Sequence, residues 1–105
     1  MLLRSVSHYK ENKMALCLTL KEGSQVSIGE SIQVVLLKSR QRRAELIVKQ
    51  SDRGMSYSCL LAEDRTVAIT TDVTVAIVRA RQGRCSIAVI APKDVKISRE
   101  GMVKQ

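Results

Sequence analysis

Two short clusters of basic residues are the part of this sequence whose spacing most suggests a chemical role. Each lies in a polar segment between two apolar, alternating segments, where a hairpin turn is expected. Fixed positive charges in such turns suit contacts with phosphates, although polar turns are also where charged side chains are simply solvated. The clusters consist of Lys38, Arg40, Arg42 and Arg43 in the first turn and Arg79, Arg81 and Arg84 in the second.

The overall charge agrees with a polyanionic partner. The chain of 105 residues has 18 basic and 10 acidic residues, a formal net charge of +8. Tyr9 and Tyr57 are its only aromatic residues, which argues against modules that stack bases on aromatic side chains. We therefore expect any base reading to use other groups.

Catalytic and metal-binding patterns are not indicated. His8 is the single histidine, and the acidic residues do not cluster as a general base or metal site requires. Cys17, Cys59 and Cys85 are widely spaced among apolar neighbours, so we expect buried, reduced thiols. The sequence predicts no enzyme, no metal and no cofactor.

The elements that position the basic turns are predicted to be β-strands. Apolar residues make up 45% of the chain, and alternating segments such as SIQVVLL and DVKIS recur. No apolar run reaches the roughly 18 residues of a membrane helix, and the N-terminal residues do not form a signal sequence. We predict an all-β, cytoplasmic protein.

An internal repeat organises these strands. Residues 32–48 align without a gap with residues 73–89, and both Val34/Val75 and Arg40/Arg81 are identical pairs 41 positions apart. The same offset continues upstream as far as the pair Met14/Met55. We predict a loosely held leader over residues 1–13 and one domain over 14–105, whose repeats span 14–54 and 55–105.

Two parts of the chain resemble the carbon storage regulator family, the CsrA/RsmA proteins. The segment LTLKEGSQVSIGESIQVVLLKSRQRRAELIV resembles the beginning of family members, with Gly23 and the pair Ile28-Gly29 matching a family motif. The segment VTVAIVRARQGRCSIAVIAPKDVKISRE resembles the remainder of those proteins. Its end matches the family pattern Ala-Pro-Lys-Glu-Val-x-Val-His-Arg-Glu through Ala91, Pro92, Lys93, Asp94, Val95, Ile97, Arg99 and Glu100.

The resemblance implies a fold and a function. Family members are intertwined all-β homodimers with a short C-terminal helix, and they bind GGA-containing RNA between the first strand of one subunit and the last strand of the other. By analogy, this chain is expected to form a monomeric pseudo-dimer, a β-sandwich or barrel with at most a short C-terminal helix. The expected partner is a messenger RNA leader or a regulatory small RNA, and a protein antagonist is compatible with the same scheme.

The resemblance also implies the site. The first repeat has the family-like first strand and the second repeat the family-like last strand, so one site is expected to be kept. The other site, around Asp52 and Ala62, is expected to be eroded. The RNA-binding residues implied by the resemblance are Leu18, Thr19, Leu20, Lys21, Ala91, Pro92, Lys93, Val95, Ile97, Arg99 and Glu100.

Within this site we expect Pro92 to fix the entry to the last strand, Val95 and Ile97 to anchor it, and Arg99 to present charge. The alternative is an ordinary edge strand with a solvated arginine. Leu20 and Ser98 stand where the family has arginine and histidine. These departures favour a second hypothesis, a protein-interaction module that binds other regulators without reading RNA.

Overall fold

The computed structural model describes residues 13–100, apart from the side chain of Glu100, and this part of the chain forms nine β-strands and no helix. The strands are β1 (Lys13–Lys21), β2 (Gln25–Ile28), β3 (Ile32–Arg40), β4 (Arg43–Gln50), β5 (Met55–Ala62), β6 (Thr66–Ala68), β7 (Thr74–Arg81), β8 (Arg84–Pro92) and β9 (Ile97–Glu100). The predicted all-β fold is confirmed. The expected leader, except Lys13, and the expected C-terminal helix lie outside the described residues.

The strands form two antiparallel sheets around an aliphatic core, as in a β-sandwich. One sheet has the order β1-β8-β7-β6, and the other has the order β5-β4-β3-β2-β9. Alternate residues of the central strands face the core, as Val34 and Leu36 do in β3 and Val75 and Ile77 do in β7. This two-residue period buries one face of each sheet, and it follows from the alternating β-branched and aliphatic residues.

The two repeats exchange their first strands. β1 belongs to the first repeat but pairs with β8 of the second repeat, from Lys13↔Pro92 to Lys21↔Arg84. The equivalent strand β5 pairs with β4 of the first repeat in the same manner. Neither repeat can therefore complete its sheet alone, and the two halves are intertwined.

Backbone hydrogen bonds follow the same 41-residue offset. The amide of Glu22 donates to the carbonyl of Gly83 at 3.2 Å, and the equivalent amide of Glu63 donates to the carbonyl of Arg42 at 3.0 Å. Each bond joins the turn after a first strand to the hairpin turn of the other repeat. The contacts thus repeat across an approximate twofold axis within one chain.

The last strand breaks this symmetry. β9 pairs with β2 from Gln25↔Glu100 to Ile28↔Ile97, whereas β4 is followed directly by a turn over residues 51–54 and then by β5. Consequently the sheet that contains β2 has five strands and the sheet that contains β6 has four.

The segment before β9 differs from the expectation. Pro92 ends β8 instead of opening the last strand, and the amide of Val95 donates to the carbonyl of Pro92 at 3.0 Å in a turn. The regular strand begins only at Ile97. The reason is that Ala91 is fully buried and pairs with Met14, which continues β8 to the proline.

The cysteines also differ in part from the expectation. All three are free thiols, but Cys17 is exposed on the edge strand β1 and Cys59 is half-buried. Cys85 is buried, and its burial raises its pKa to about 11. Cys17 is exposed because odd-numbered residues of the central part of β1 face away from the core.

Candidate functional site

A side-chain hydrogen bond links β1 and β9, each of which is an edge strand of its sheet. β1 is the edge of the four-stranded sheet, and β9 is the edge of the five-stranded sheet. A guanidinium nitrogen of Arg99, Nη1, donates a hydrogen bond to the carbonyl oxygen of Thr19 at 3.3 Å. This hydrogen bond links the two strands that the resemblance assigns to one site, although β1 itself pairs with β8 and β9 with β2.

Within β1, burial separates the residues that can meet a ligand from those that cannot. Thr19 and Lys21 are exposed, whereas Leu18 is half-buried and Leu20 is 0% exposed. Leu20 is thus a core residue, and Lys21 supplies the local charge. Lys21 also pairs with Arg84, which places it at the base of the second basic turn.

Among residues 91–98, the apolar side chains pack against the core and the charged and hydroxyl side chains are exposed. Ala91 is fully buried, and Val95 and Ile97 are half-buried against the core. Pro92 is half-buried, and Lys93 and Ser98 are exposed. Arg99 is therefore the residue of the last strand whose described side chain brings fixed charge to β1.

The two basic turns lie side by side. The amide of Arg42 donates to the carbonyl of Ala80 at 3.1 Å, and the amide of Gly83 donates to the carbonyl of Ser39 at 3.0 Å. All seven basic residues assigned to the turns are exposed. The sequence predicted two separate turns, and their joining into one basic surface follows from the intertwined fold.

The buried hydroxyl of Ser39 contacts the backbone of the second basic turn. Ser39 is 1% exposed, and its Oγ lies 2.6 Å from the carbonyl oxygen of Arg81 and 2.8 Å from that of Arg84. The hydroxyl can donate to either acceptor and so holds the second turn against β3. Sequence reasoning missed Ser39, because the equivalent residue is Ala80 and no motif marks the position.

The backbone of the first turn is held in an unusual conformation. Arg42 has φ of 69°, and the equivalent residue Gly83 has φ of 81°. A left-handed conformation costs a non-glycine residue about 1–2 kcal/mol. The arginine thus occupies a position where glycine would be conformationally favoured, which is consistent with a use for its exposed side chain.

A basic groove connects the second turn to β1. Its volume is about 490 Å³, and Thr19 and Ser86 lie on adjacent strands in it with their hydroxyl oxygens 3.1 Å apart. We call this the hydroxyl groove. Its lining residues are Thr19, Arg79, Arg81, Gln82, Arg84, Cys85 and Ser86. Sequence reasoning missed Ser86, which only the pairing of β1 with β8 places opposite Thr19.

A smaller groove of about 340 Å³ occupies the equivalent position in the other half. Leu60 replaces Thr19 there and is 64% exposed, and Glu45 replaces Ser86. A carboxylate and an exposed leucine are poorer neighbours for phosphate than two hydroxyls. The lining residues of this second groove are Lys38, Arg40, Arg43, Ala44, Glu45 and Leu60.

Glu63 anchors the strand that leads into the second turn. Its Oε2 accepts a hydrogen bond from the amide of Ala80 at 2.9 Å and lies 3.3 Å from Nη1 of Arg81. The amide hydrogen bond, followed by the charges of Arg81 and Arg42, lowers the pKa of Glu63. Part of the charge of Arg81 is therefore compensated within the protein.

This carboxylate is expected to make stability depend on pH. Because the pKa of Glu63 is lower in the folded state, its contribution is present above the ordinary value of 4.5 and disappears as the pH falls through the folded value. We expect Glu63→Gln to lower the melting temperature at pH 7, and the difference from the parent to shrink towards pH 3.

Thermal unfolding followed by circular dichroism between pH 3 and 7 would measure this effect. Glu45→Gln is the matched control, since it removes one negative charge without removing an acceptor of the Ala80 amide. A constant difference between Glu63→Gln and the parent across the whole pH range would contradict the expectation.

Within residues 13–100, no group of three or more histidine, cysteine or acidic side chains is arranged to hold a metal ion. The same residues include no helix with the length and apolarity needed to cross a membrane. Comparison with known proteins found no match to this chain among protein-family models, curated proteins or solved structures.

Proposed function

We propose that this protein is a sequence-specific RNA-binding regulator that acts after transcription. Its ligand would be GGA-containing RNA, single-stranded or in a hairpin loop, within a messenger RNA leader or a regulatory small RNA. Binding in the cytoplasm would control translation or messenger RNA stability. The observation that carries the proposal is the contact of Arg99 with Thr19, which joins β1 and β9 beside the hydroxyl groove.

RNA binding would use two kinds of contact, one with phosphates and one with bases. Exposed arginines of the paired turns would bind phosphates and supply affinity without sequence preference. In the described sheets residues 16–21 of β1 pair with β8 alone, and the carbonyl of Thr19 also accepts from Arg99; the other outward-facing backbone groups of this segment would read the bases. The preference for GGA comes from the resemblance to the carbon storage regulator family, in which main-chain groups largely read the bases.

Asymmetry between the two grooves supports one RNA site per chain. The hydroxyl groove has three arginines and no acidic residue, whereas the second groove contains Glu45 and Leu60. In the part of the chain that the structure describes, no strand equivalent to β9 lies beside the second groove. We therefore propose a monomeric pseudo-dimer that binds a single RNA.

Gel-shift titration of a GGA hairpin and a GGA-mutated hairpin would test the proposal. We expect the GGA hairpin to bind more tightly, with log-log salt dependence typical of phosphate binding. Replacing Arg40, Arg42 and Arg43 with alanine should flatten the slope by roughly 0.7 for each phosphate that the variant no longer neutralises.

A variant with Lys49→Ala and Arg53→Ala is the control, because these exposed residues lie at the opposite end of β4 from Arg43. Its slope should change less for each charge removed. Equal binding of both hairpins would contradict sequence-specific recognition. An unchanged salt slope in the triple variant would show that Arg40, Arg42 and Arg43 do not contact phosphates.

A second candidate function is the protein-interaction module. The observation that favours it is the large exposed side chain of Leu60, which stands where the hydroxyl groove has Thr19. An apolar residue at this position suits a protein surface better than a phosphate. Failure of RNA binding in the titration, with the protein folded, would favour this candidate.

A further inference from the structure

Among the described residues no strand pairs with the outer edge of β6, whereas the equivalent edge of β2 pairs with β9. Val26 and Ile28 of the first repeat are 0% and 1% exposed, since β9 lies beside β2. The equivalent residues Val67 and Ile69 are only half-buried, although they pack against the same core. Within residues 13–100, the absence of a fifth strand from the four-stranded sheet therefore leaves these apolar side chains partly exposed.

The same difference in burial between the two repeats appears on β5, the strand before β6. Leu20 on β1 is fully buried, whereas the equivalent Leu61 on β5 is half-buried. Tyr57 and Cys59 are half-buried on the same strand, and β5 has no charged residue between Met55 and Ala62. β5, which leads to this edge, is thus uncharged and largely apolar, and the connecting residues Glu63, Asp64 and Arg65 add more negative than positive charge, which disfavours a nucleic acid as the ligand.

Backbone geometry shows which groups face the open side. The amide of Ile69 donates to the carbonyl of Val73 at 2.8 Å, and the amide of Ile77 donates to the carbonyl of Arg65 at 3.0 Å. Residues 65, 67 and 69 therefore direct their backbone groups towards β7. In an antiparallel pair, the alternate residues Thr66 and Ala68 must direct theirs towards the open side.

The covered edge shows how such groups are used. The amide of Gly29, just beyond β2, donates to the carbonyl of Lys96 on the segment leading into β9 at 2.7 Å. The equivalent amide of Thr70 instead donates to the carbonyl of Val73 in its own loop at 3.2 Å. Within the described residues, the edge of β2 thus pairs with a strand, and the equivalent edge of β6 does not.

We propose that the β6 edge binds an extended segment of a partner protein as an added antiparallel strand. The segment would place β-branched apolar residues at two positions separated by one residue, as β9 and its preceding turn place Val95 and Ile97 on the covered edge. Main-chain hydrogen bonds would give affinity, and the two apolar side chains would cover Val67 and Ile69. This site is independent of the proposed RNA site.

A labelled synthetic peptide with the sequence of residues 93–100, KDVKISRE, is the probe. Titration in the absence of RNA should show saturable binding, with amide shifts by nuclear magnetic resonance centred on Thr66 and Ala68. A peptide with serine at the positions of Val95 and Ile97 should bind at least about tenfold more weakly. This comparison leaves the protein unchanged and therefore does not depend on the folding of a variant.

On the protein, Val67→Lys should weaken binding of the peptide by about tenfold or more. Met14→Lys is the matched control, since Met14 is exposed on β1, at the opposite edge of the same sheet. Absence of saturable binding, or amide shifts centred on β2 and β9, would overturn the proposal. RNA binding measured separately distinguishes failure of this site from failure of the proposed function.

Amide exchange in the free protein provides a further test. Slow exchange at Thr66 and Ala68 without peptide would show that the edge is already covered, by another part of this chain or, if it depends on concentration, by a second copy. Either result would overturn the proposal. Fast exchange that slows on addition of the peptide would support it.

Discussion

Replacing Arg99 with alanine is expected to weaken binding of a GGA hairpin by roughly 10- to 150-fold, about 1.5 to 3 kcal/mol. Arg99 brings a permanent charge to the junction of β1 and β9, where it donates to the carbonyl of Thr19. The range is that of hydrogen bonds made by charged groups. Isothermal calorimetry at fixed salt concentration would measure both affinity and stoichiometry, which we expect to be one RNA per chain.

Arg53→Ala is the control for this experiment. It removes an exposed arginine from the turn between β4 and β5 and should reduce affinity only slightly. Thermal unfolding should show that Arg99→Ala remains folded, because the side chain lies outside the central core. Unaltered affinity of Arg99→Ala would remove this residue from the site, and two RNAs per chain would contradict the proposed difference between the grooves.

Truncating Leu20 is expected to have the largest effect on stability. Leu20 is fully buried near the end of β1, opposite Cys85 of β8, and Leu20→Ala should lower the free energy of unfolding by about 2–5 kcal/mol. Leu61→Ala, at the equivalent position of β5, should lower it by roughly half as much or less because Leu61 is only half-buried. Urea denaturation would give both values.

Leu37→Ala is the control for these two variants. Leu37 is 41% exposed at the irregularity in β3, so its truncation should change the free energy of unfolding by at most about 0.5 kcal/mol. Equal decreases in Leu20→Ala and Leu61→Ala would contradict the difference in burial between the two halves. They would also weaken the proposal that the edge of β6 is open.

The local pattern of the chain was sufficient to predict its strands. Alternation in segments such as 32–36 and 73–77 dictates which side chains face the core, because consecutive residues of a strand point to opposite faces. The 41-residue offset likewise predicted equivalent hairpins, and the exposure of their arginines follows from the position of turns at the surface. These features depend on neighbouring residues alone.

Pairing between distant strands was decided only by the tertiary structure. Nothing local to the sequence places Thr19 opposite Ser86, brings the turns at Arg42 and Gly83 together, or ends β8 at Pro92. Burial of the shared core selects these pairings, since the sheet of each repeat includes the first strand of the other. The resemblance indicated that the first repeat lacks the last strand of the family, but only the assembled sheets show that, among the described residues, this leaves the edge of β6 without a neighbouring strand.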